Sequence, residues 1–441
     1  MNLLHFGSAE SLFQLSGLGT FASATPNLPG ECNWNRWLTP EHIEGTEDGD
    51  YERFFVDILT DPDPFIRLLK EMNMTAYRFS MEWSVMEPAR GVSGTQAIAL
   101  YANFIKKLLE ADIEPYITLV HFTLPRWFVN KGAFENSANI ELFKRYALRM
   151  IRKFPEVNYW ITFNEANIYA FQTYVRGVYP HRTTGITLAK KVMKNLLLAH
   201  CGVYDAVKAD EALQEKQIGI THQWLKFEPL CGNFLERLIC RYLSKISHYT
   251  IYDFFKKNPS LDFIGVQFYG YPRLKAGWNG GIDYPGYKTK NFAGWTFGST
   301  CPEGGRMQSF GPSYYPESLQ DCLEEASALG VPIVITETGC DSRIQRFGET
   351  EWYIDEEIQK EYLEEILPIL AQFPLQGLFI WTLPRKELEW ERGSSCCLGV
   401  VEVCKDENRR FVGVNHSAAS IFLRQTFARL RQFAATAPAI C

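Results

Sequence analysis

The sequence predicts an α/β protein with a single (β/α)8 barrel, and three observations support that fold class. Short apolar segments alternate with longer amphipathic segments eight times along the 441 residues. The apolar segments around residues 160 and 335 are β-branched and lack polar alternation, as is typical of parallel strands buried on both faces. Eight alternating units with right-handed crossovers close naturally into a barrel. We expect one domain over residues 1–441, with long loops at the carboxyl ends of the strands.

An open, doubly wound sheet is the alternative arrangement of the same elements. That fold carries a glycine-rich phosphate-binding turn after an early strand, and no such turn is present in this sequence. The chain exceeds the typical barrel length of about 250 residues, so the surplus is expected in loops. The largest inserts follow the first predicted strand, at Trp37–Asp61, and the sixth, at Tyr271–Ser313.

Each predicted strand is a short apolar segment bounded by polar or turn-forming residues. The strands are Leu3–Ala9, Thr75–Trp83, Glu114–Phe122, Tyr159–Glu165, Gln217–Gln223, Asp262–Tyr269, Pro332–Glu337 and Gln376–Thr382. Each predicted helix has apolar residues three and four positions apart, and the first follows acidic residues and prolines that signal a helix start. The helices are Phe65–Met72, Ala97–Leu109, Ile140–Phe154, Leu188–Ala209, Arg237–Lys257, Pro316–Leu329, Glu357–Phe373 and Ala418–Phe433.

Charge and composition exclude several classes of partner and site. The formal charge of −6 and the absence of a dense Lys/Arg cluster argue against nucleic acid. Residues 1–8 contain no basic segment, and no window has the roughly 18 apolar residues of a membrane span, so we expect neither a signal peptide nor a transmembrane segment. The eleven cysteines form no CxxC pair, which predicts reduced thiols, a cytoplasmic location and no zinc site.

Two predicted strands end in a glutamate, the fourth in Glu165 and the seventh in Glu337. The carboxyl ends of barrel strands face a shared site, so these two carboxyl groups are expected to meet there. Other polar and aromatic residues have equivalent positions. They are Gln14, Arg78, Glu82, His121, Phe122, Asn164, His222, Gln223, Gln267, Tyr269 and Trp381. This mixture of hydroxyl-binding groups and flat rings is suited to a sugar.

The two glutamates have the residue types that cleavage of a glycosidic bond with retention requires. One carboxylic acid protonates the leaving oxygen, and one carboxylate about 5–5.5 Å away attacks the anomeric carbon. Arg78 and Tyr269 are candidates to keep Glu337 ionised, while Glu165, beside Asn164 and apolar neighbours, is expected to hold its proton.

Structural explanations of the same residues stay open at this point. Either glutamate could belong to an ordinary ion pair, and Arg78 could neutralise Glu82. His121 could be a core histidine with satisfied hydrogen bonds. The tryptophans Trp83, Trp381 and Trp390 are also suited to packing.

At these residues the sequence resembles glycoside hydrolase family 1, the β-glucosidase-like retaining enzymes, nearly from end to end. The motif TFNEA at 162–166 is similar to the family's TFNEP, and ITETG at 335–339 is similar to ITENG. Six further segments match in family order. They are FGSAESLFQLSG at 6–17, WNRW at 34–37, YRFSMEW at 77–83, HFTLP at 121–125, DFIGVQFYG at 262–270 and FIWTLPRKELEWERG at 379–393.

The resemblance implies a role for each matched residue. Glu165 corresponds to the acid/base and Glu337 to the nucleophile, with Arg78 and Tyr269 supporting Glu337 and Asn164 on the sugar 2-hydroxyl. The other sugar hydroxyls and the stacking surface involve Gln14, His121, Glu389, Trp390 and Trp381. A small glycoside is the implied partner, and neither a metal nor an organic cofactor is implied.

Several positions depart from the family pattern. Phe122 replaces a tryptophan whose indole N–H reaches the sugar, so one donor that discriminates between hydroxyls is missing. Gln267 replaces an asparagine at another substrate-binding position. The further departures are Ala166, Phe268, Thr338, Leu398 and the pair Arg385-Lys386. Glu389 and Trp390 occur without the Ser-Lys-Tyr set of the 6-phospho-glycosidase branch, which favours an unphosphorylated sugar.

The sequence leaves three functions to compare. The first is a retaining exo-acting β-glycosidase, and the second is a transglycosidase that passes the glycosyl group to a sugar or lipid hydroxyl. The third is a non-catalytic carbohydrate-binding relative, which the presence of both Glu165 and Glu337 disfavours.

Overall fold

The computed structural model describes most of the chain and its whole barrel. The described residues are 5–43, 51, 55–278, 295–299, 305–309, 314–347, 349, 351–384, 388–390 and 396–436. Leu3 and Leu4 of the first predicted strand, part of both predicted inserts, and Arg385 and Lys386 lie outside them.

Eight parallel strands close into a barrel, which confirms the predicted fold class. The strands are His5–Glu10, Ala76–Ser80, Glu114–Thr118, Tyr159–Ile161, Gln217–Gln223, Phe263–Phe268, Ile333–Thr338 and Leu375–Ile380. Each pairs with the strands before and after it in the chain, and the last pairs with the first. All eight predicted strands are therefore present, in the predicted order.

Helices surround this barrel, and most lie within a few residues of their predicted limits. They are Asp63–Glu71, Thr95–Glu110, Ile140–Lys153, Ile186–Lys208, Phe234–Ser244, Thr250–Lys257, Ser318–Ser327, Ile358–Leu370 and Ala418–Thr436. The prediction of one continuous helix at Arg237–Lys257 was wrong, both in its continuity and in its first residue. A π-helical segment at Lys245–Tyr249 divides it, and its first half begins at Phe234.

The second, third and fourth strands end at least three residues earlier than predicted, and buried residues follow each of these strand ends. The second ends at Ser80 and the third at Thr118, and Trp83 begins a short helix, Trp83–Met86. The fourth ends at Ile161, four positions before Glu165. Apolar character continues past each strand end because these loop residues are buried too, so hydrophobicity alone did not mark the boundary.

The apolar core has two parts. The larger lies between the barrel and its helices, and the smaller fills the barrel interior. Tyr116 stacks on Tyr159 at 4.2 Å and meets the edge of Phe379 at 4.9 Å in the interior. Gly7 is required where two strands approach closely, because a Cβ atom there would lie 1.8 Å from the carbonyl oxygen of Ala76.

Additional strands lie outside the barrel. Arg306–Gln308 pairs with Arg343–Arg346, and Val401–Lys405 pairs with Phe411–His416. In the insert after the sixth strand, Arg273–Trp278 pairs with Trp295–Ser299. The nine cysteines of the described ranges are all free. No helix within those ranges is both long and apolar enough to cross a membrane.

Candidate active site

Arg78 lies at the centre of the site and is almost completely buried. It projects from the second strand, and its Nη1 donates to Oε1 of Glu337 at 2.6 Å and to the carbonyl oxygen of Thr336 at 3.0 Å. Its Nη2 donates to Oδ1 of Asn164 at 2.6 Å, and its Nε donates to Oγ1 of Thr118 at 3.2 Å. The planar guanidinium thus fixes four groups on three other strands or their ends.

Glu337 lies on the seventh strand between two hydrogen-bond donors. Besides the contact with Arg78, its Oε2 accepts a hydrogen bond from the Tyr269 hydroxyl at 2.8 Å. Burial raises the pKa of Glu337, and both Arg78 and Tyr269 oppose that rise by stabilising the carboxylate. Burial also raises the pKa of Tyr269 well above its usual range, so the phenol keeps the proton that it donates.

Glu165 follows the fourth strand in the left-handed region, with φ of 40°. Its backbone N–H donates to Oγ1 of Thr221 at 3.1 Å, which fixes the turn that directs the side chain. Burial raises the pKa of Glu165 well above its usual range, and repulsion from Glu337 raises it further, while Arg78 lowers it. Glu165 therefore retains its proton more readily than Glu337, whose carboxylate is stabilised by the charge of Arg78 and by a hydrogen bond from Tyr269.

Asn164 has an amide orientation set by three donors. Its Oδ1 accepts from Arg78, from Thr221 Oγ1 at 3.0 Å and from Gln267 Nε2 at 2.8 Å. Its Nδ2 and the Oε1 of Gln267 are buried and have no hydrogen-bond partner within the described part of the chain. Buried polar atoms are normally satisfied, so these two atoms are a donor and an acceptor available to a ligand.

A second group of polar residues connects the first and eighth strands. Gln14 Nε2 donates to Glu389 Oε2 at 3.2 Å and to the carbonyl oxygen of Leu388 at 2.9 Å. Trp381 Nε1 lies 3.4 Å from the same Glu389 oxygen. The Oε1 of Gln14 is buried and lacks a protein partner in the described ranges. Glu389 is thus oriented by an amide and an indole, in an arrangement suited to sugar hydroxyls.

Aromatic rings form one wall of the same cavity. The His121 ring lies 5.5 Å from Trp381, 5.8 Å from Trp390 and 5.3 Å from Phe122. Burial lowers the pKa of His121 well below its usual range, and Arg78 lowers it further, so the imidazole is neutral. Phe122 and Trp390 share with Glu165 a positive φ, at 63° and 44°. Strained backbone of this kind in non-glycine residues is concentrated at functional sites.

The structure brings together all twelve residues singled out for catalysis and sugar binding, in two connected groups. Arg78 links the first group, which comprises Asn164, Glu165, Gln267, Tyr269 and Glu337. The second group surrounds Glu389 and His121, and it comprises Gln14, Phe122, Trp381 and Trp390. Trp83, as predicted, is a packing residue and stacks on Tyr146 at 4.5 Å.

Two strand-end predictions were wrong. Glu82 hydrogen-bonds to the hydroxyls of Ser80 and Thr123 instead of facing the carboxyl pair, and it is not the partner of Arg78. His222 points out of the barrel, where its Nε2 lies 2.8 Å from Nδ1 of His248. Adjacent residues of a strand face opposite sides, so inward-facing Thr221 excludes its neighbour His222 from the cavity.

Sequence reasoning missed several residues that support the site, among them Thr118, Thr221 and Tyr179. Thr221 contacts both Asn164 and the backbone of Glu165, and strand alternation around His222 could have indicated it. Tyr179 packs 5.3 Å from Phe122 and 5.7 Å from Trp390. It comes from the loop after the fourth strand, and nothing in its local sequence indicates that position.

The site contains two buried carboxyl groups of unequal proton affinity. Both lie at the carboxyl ends of barrel strands, among amides and indoles. This combination is typical of glycosidases among (β/α)8 proteins. The chain belongs to Glycosyl hydrolase family 1, whose profile matches residues 5–253. That match includes the TFNEA segment at 162–166, whereas the ITETG segment at 335–339 lies beyond it.

The curated relatives are distant in sequence, and this chain covers different shares of their own length. "Beta-glucosidase 26, peroxisomal" of Arabidopsis thaliana is 24% identical over 95% of this chain and 84% of its own length. "Non-cyanogenic beta-glucosidase" of Trifolium repens is 27% identical, over 70% of this chain and 71% of its own length. "Galactolipid galactosyltransferase SFR2, chloroplastic" of Arabidopsis thaliana is 24% identical, over 85% of this chain and 57% of its own length.

Solved structures share the complete fold. A β-glucosidase from Exiguobacterium marinum has a TM-score of 0.78 at 20% identity, covering 97% of this chain and 99% of its own. The β-glucosidase from Thermotoga maritima in complex with glucoimidazole has a TM-score of 0.78 at 20% identity, with coverage of 97% and 98%. At these identities the likeness establishes the fold alone.

Proposed function

We propose that this protein is a retaining β-glycosidase that hydrolyses a terminal non-reducing β-linked sugar from small glycosides. The observation that carries the proposal is the unequal environment of two neighbouring carboxyl groups. Glu337 is oriented by Arg78 and Tyr269, whereas the pKa of Glu165 is raised by burial and by repulsion from Glu337. A nucleophile must be ionised and an acid protonated, and these environments favour those two states.

In the first step, the carboxylate of Glu337 attacks the anomeric carbon as the bond to the leaving oxygen breaks. Glu165 transfers its proton to that oxygen, and the product is a glycosyl ester on Glu337. Formation of the ester removes the negative charge of Glu337. The repulsion that raised the pKa of Glu165 therefore ends, and Glu165, now ionised, is stabilised by this change.

In the second step, Glu165 acts as a base. It takes a proton from water, whose oxygen attacks the anomeric carbon and displaces Glu337. The unpartnered Nδ2 of Asn164 is positioned to donate to the sugar 2-hydroxyl, a contact that strengthens in transition states of this reaction. The groups around Glu389 are assigned to the remaining hydroxyls, and every step uses side chains of this chain.

The test is a screen of aryl glycosides that vary in sugar and anomer, with products identified as well as rates. We expect cleavage of β-glycosides with retained configuration, and an activated 2-fluoro glycoside should label Glu337. Inverted product, or a label on another residue, would contradict the proposed mechanism.

Transglycosylation is the second candidate, because it uses the same glycosyl ester and differs only in the acceptor. One curated relative is named a galactolipid galactosyltransferase, which is the specific observation in its favour. Added alcohol acceptors in the same screen separate the two, since transfer products that dominate over free sugar would identify a transglycosidase. A non-catalytic role is disfavoured by the presence of both carboxyl groups, and the cytoplasmic location stays a prediction.

A further inference from the structure

The helix Phe234–Ser244 exposes three large apolar side chains, while Leu235, Ile239 and Leu243 are half-buried. Phe234, Leu238 and Tyr242 are exposed to 79%, 54% and 53%, and their spacing of four residues places them along one face. The side chains that the helix buries are small or polar, namely Glu236, Cys240 and Ser244. A helix on the outside of a barrel normally has the reverse distribution, with its apolar face turned towards the core.

Basic residues accompany this apolar row. Arg237, Arg241 and Lys245 each follow an apolar residue by three positions and are exposed on the same side of the helix. Residues 231–245 are described throughout, and no exposed residue among them is acidic. We name these six side chains the amphipathic face: Phe234, Arg237, Leu238, Arg241, Tyr242 and Lys245. It is positively charged, although the whole chain has a formal charge of −6.

Polar contacts on the buried side hold the helix in place. The backbone N–H of Glu236 donates to Oδ1 of Asn233 at 2.9 Å, and Oε2 of Glu236 accepts from the N–H of Cys231 at 2.8 Å. The Asn233 side chain therefore caps the start of the helix, and the Glu236 carboxylate holds the preceding turn against it. Near its end, Oγ of Ser244 accepts from the N–H of Phe227 at 2.9 Å. The exposure of the apolar row is therefore compatible with an ordered helix that does not need those side chains for its own packing.

The helix lies on the side of the barrel that carries the candidate active site. It follows the segment that leaves the carboxyl end of the fifth strand, Gln217–Gln223. Ser247, just after the helix, donates to the carbonyl oxygen of Leu225 in that segment at 2.7 Å. The same strand supplies Thr221, which contacts Asn164 and Glu165. A surface that bound the amphipathic face would consequently lie beside the entrance side of the barrel.

We propose that the amphipathic face docks on an anionic membrane surface, with the helix lying in the plane of the headgroups. Interfacial helices combine a large apolar row, which enters the acyl boundary, with Lys and Arg side chains, which bind anionic lipids. A second copy of the chain is a less suitable partner for the amphipathic face. A symmetric contact between two copies would bring their positively charged rows together in a desolvated interface.

Docking would give the catalytic face access to glycosides whose aglycone is a lipid. This consequence for substrate choice rests on the proposed glycosidase activity, whereas membrane docking itself does not. A water-soluble aryl glycoside and a glycolipid in vesicles therefore report separately on chemistry and on docking.

The test is co-sedimentation of the full chain with phosphatidylcholine vesicles, with and without phosphatidylserine. We expect binding to the anionic vesicles that weakens as salt is added. The double variant Arg237→Glu with Arg241→Glu should reduce the partition coefficient at least about tenfold, because each basic residue near an anionic surface contributes to affinity. Leu238→Ser with Tyr242→Ser should reduce it to a similar extent through loss of apolar contact.

Matched controls distinguish a local surface from general charge or hydrophobicity. Lys190→Glu with Lys191→Glu makes the same charge change at exposed positions of the helix Ile186–Lys208, and Phe21→Ser removes an exposed aromatic ring elsewhere. Both should leave vesicle binding within about twofold of the original, and all variants should cleave soluble aryl glycosides normally. Failure of the unmodified chain to bind anionic vesicles, or equal binding by all variants, would overturn the proposal. A dimer that Leu238→Ser with Tyr242→Ser dissociates would also overturn it and identify the face as a contact between copies.

Discussion

The guanidinium of Arg78 and the carboxylate of Glu337 form a buried ion pair, with 2.6 Å between Nη1 and Oε1. A buried charge requires a partner, and the same guanidinium also orients Asn164. One side chain therefore determines both the position of the proposed nucleophile and the direction of the amide beside it.

Replacing Arg78 should affect both activity and stability. Arg78→Met leaves Glu337 without its charge partner, and we expect kcat to fall about 100-fold or more. Arg78 lowers the pKa of Glu337, so its loss should move the acidic limb of the kcat/KM profile to higher pH. The free energy of unfolding should decrease by about 3–5 kcal/mol. Arg78→Lys is the control, since it keeps the charge without the planar fork, and an unshifted acidic limb in Arg78→Met would contradict the assignment.

Glu337→Gln should remove the proposed nucleophile while preserving the size of the side chain. We expect kcat/KM for aryl β-glycosides to decrease by several orders of magnitude. A loss of this size is smaller than the total rate acceleration that enzymes provide. Glu82→Gln is a matched control, because Glu82 is another buried glutamate but hydrogen-bonds to Ser80 and Thr123. Comparable losses in the two variants would show a general effect on folding.

Glu165→Gln should affect substrates according to their leaving groups. Activated aryl glycosides need no proton on the leaving oxygen, so glycosyl-ester formation with them should be nearly preserved, whereas natural glycosides should react far more slowly. A raised pKa means that Glu165 loses its proton, and with it the activity, only as pH rises. The basic limb of kcat/KM should therefore disappear in the variant. Equal loss with both kinds of substrate would refute the acid role.

Glu10 should make stability depend on pH. Its carboxyl group accepts hydrogen bonds from Ser8 at 2.6 Å, Thr382 at 3.1 Å and the N–H of Leu383 at 3.0 Å, and burial raises its pKa to about 7. The folded chain therefore binds more protons than the unfolded chain between the ordinary pKa of 4.5 and about 7, and stability falls as pH rises through this window.

The effect of Glu10 is measured as a difference between Glu10→Gln and the original chain across that pH range. Gln cannot ionise, so the variant should lose this part of the pH dependence, up to about 3 kcal/mol in the free energy of unfolding. Other buried groups cancel in the difference, including His5 and His200, whose pKa values are lowered to about 4. Parallel pH curves for the two chains would show that Glu10 is not the group responsible.

Gln359 should be important for stability because it links the loop after the seventh strand to the loop after the eighth. Its Nε2 lies 3.0–3.3 Å from four carbonyl oxygens, those of Cys340, Cys397, Leu398 and Gly399. Gln359→Leu removes the donor from these buried acceptors and should decrease the free energy of unfolding by about 2–4 kcal/mol. Gln372→Leu is the control, because that amide is exposed and donates to the carbonyl oxygen of Pro368 at 3.3 Å. Denaturant unfolding of both variants measures the difference, and equal midpoints would contradict the prediction.

Much of the site could be predicted because strand ends of a barrel converge. Once the fourth and seventh strands were identified, the meeting of Glu165 and Glu337 followed from topology. The errors at Glu82 and His222 had a different origin. The carboxyl group of Glu82 is held by the hydroxyls of Ser80 and Thr123, and His222 faces outward by the alternation of side chains along the strand.

By itself, the sequence determined the order of the strands and helices, the closed barrel, and the two glutamates at its carboxyl side. These features depend on periodicity and residue type within short segments, which are local properties. Only the tertiary structure decided the partner of Arg78, the set of carbonyls around Gln359 and the outward direction of Phe234. Arg78 and Glu337 are 259 positions apart, and no local pattern specifies which distant groups will share a buried volume. Packing and the hydrogen-bonding demands of buried groups made those choices.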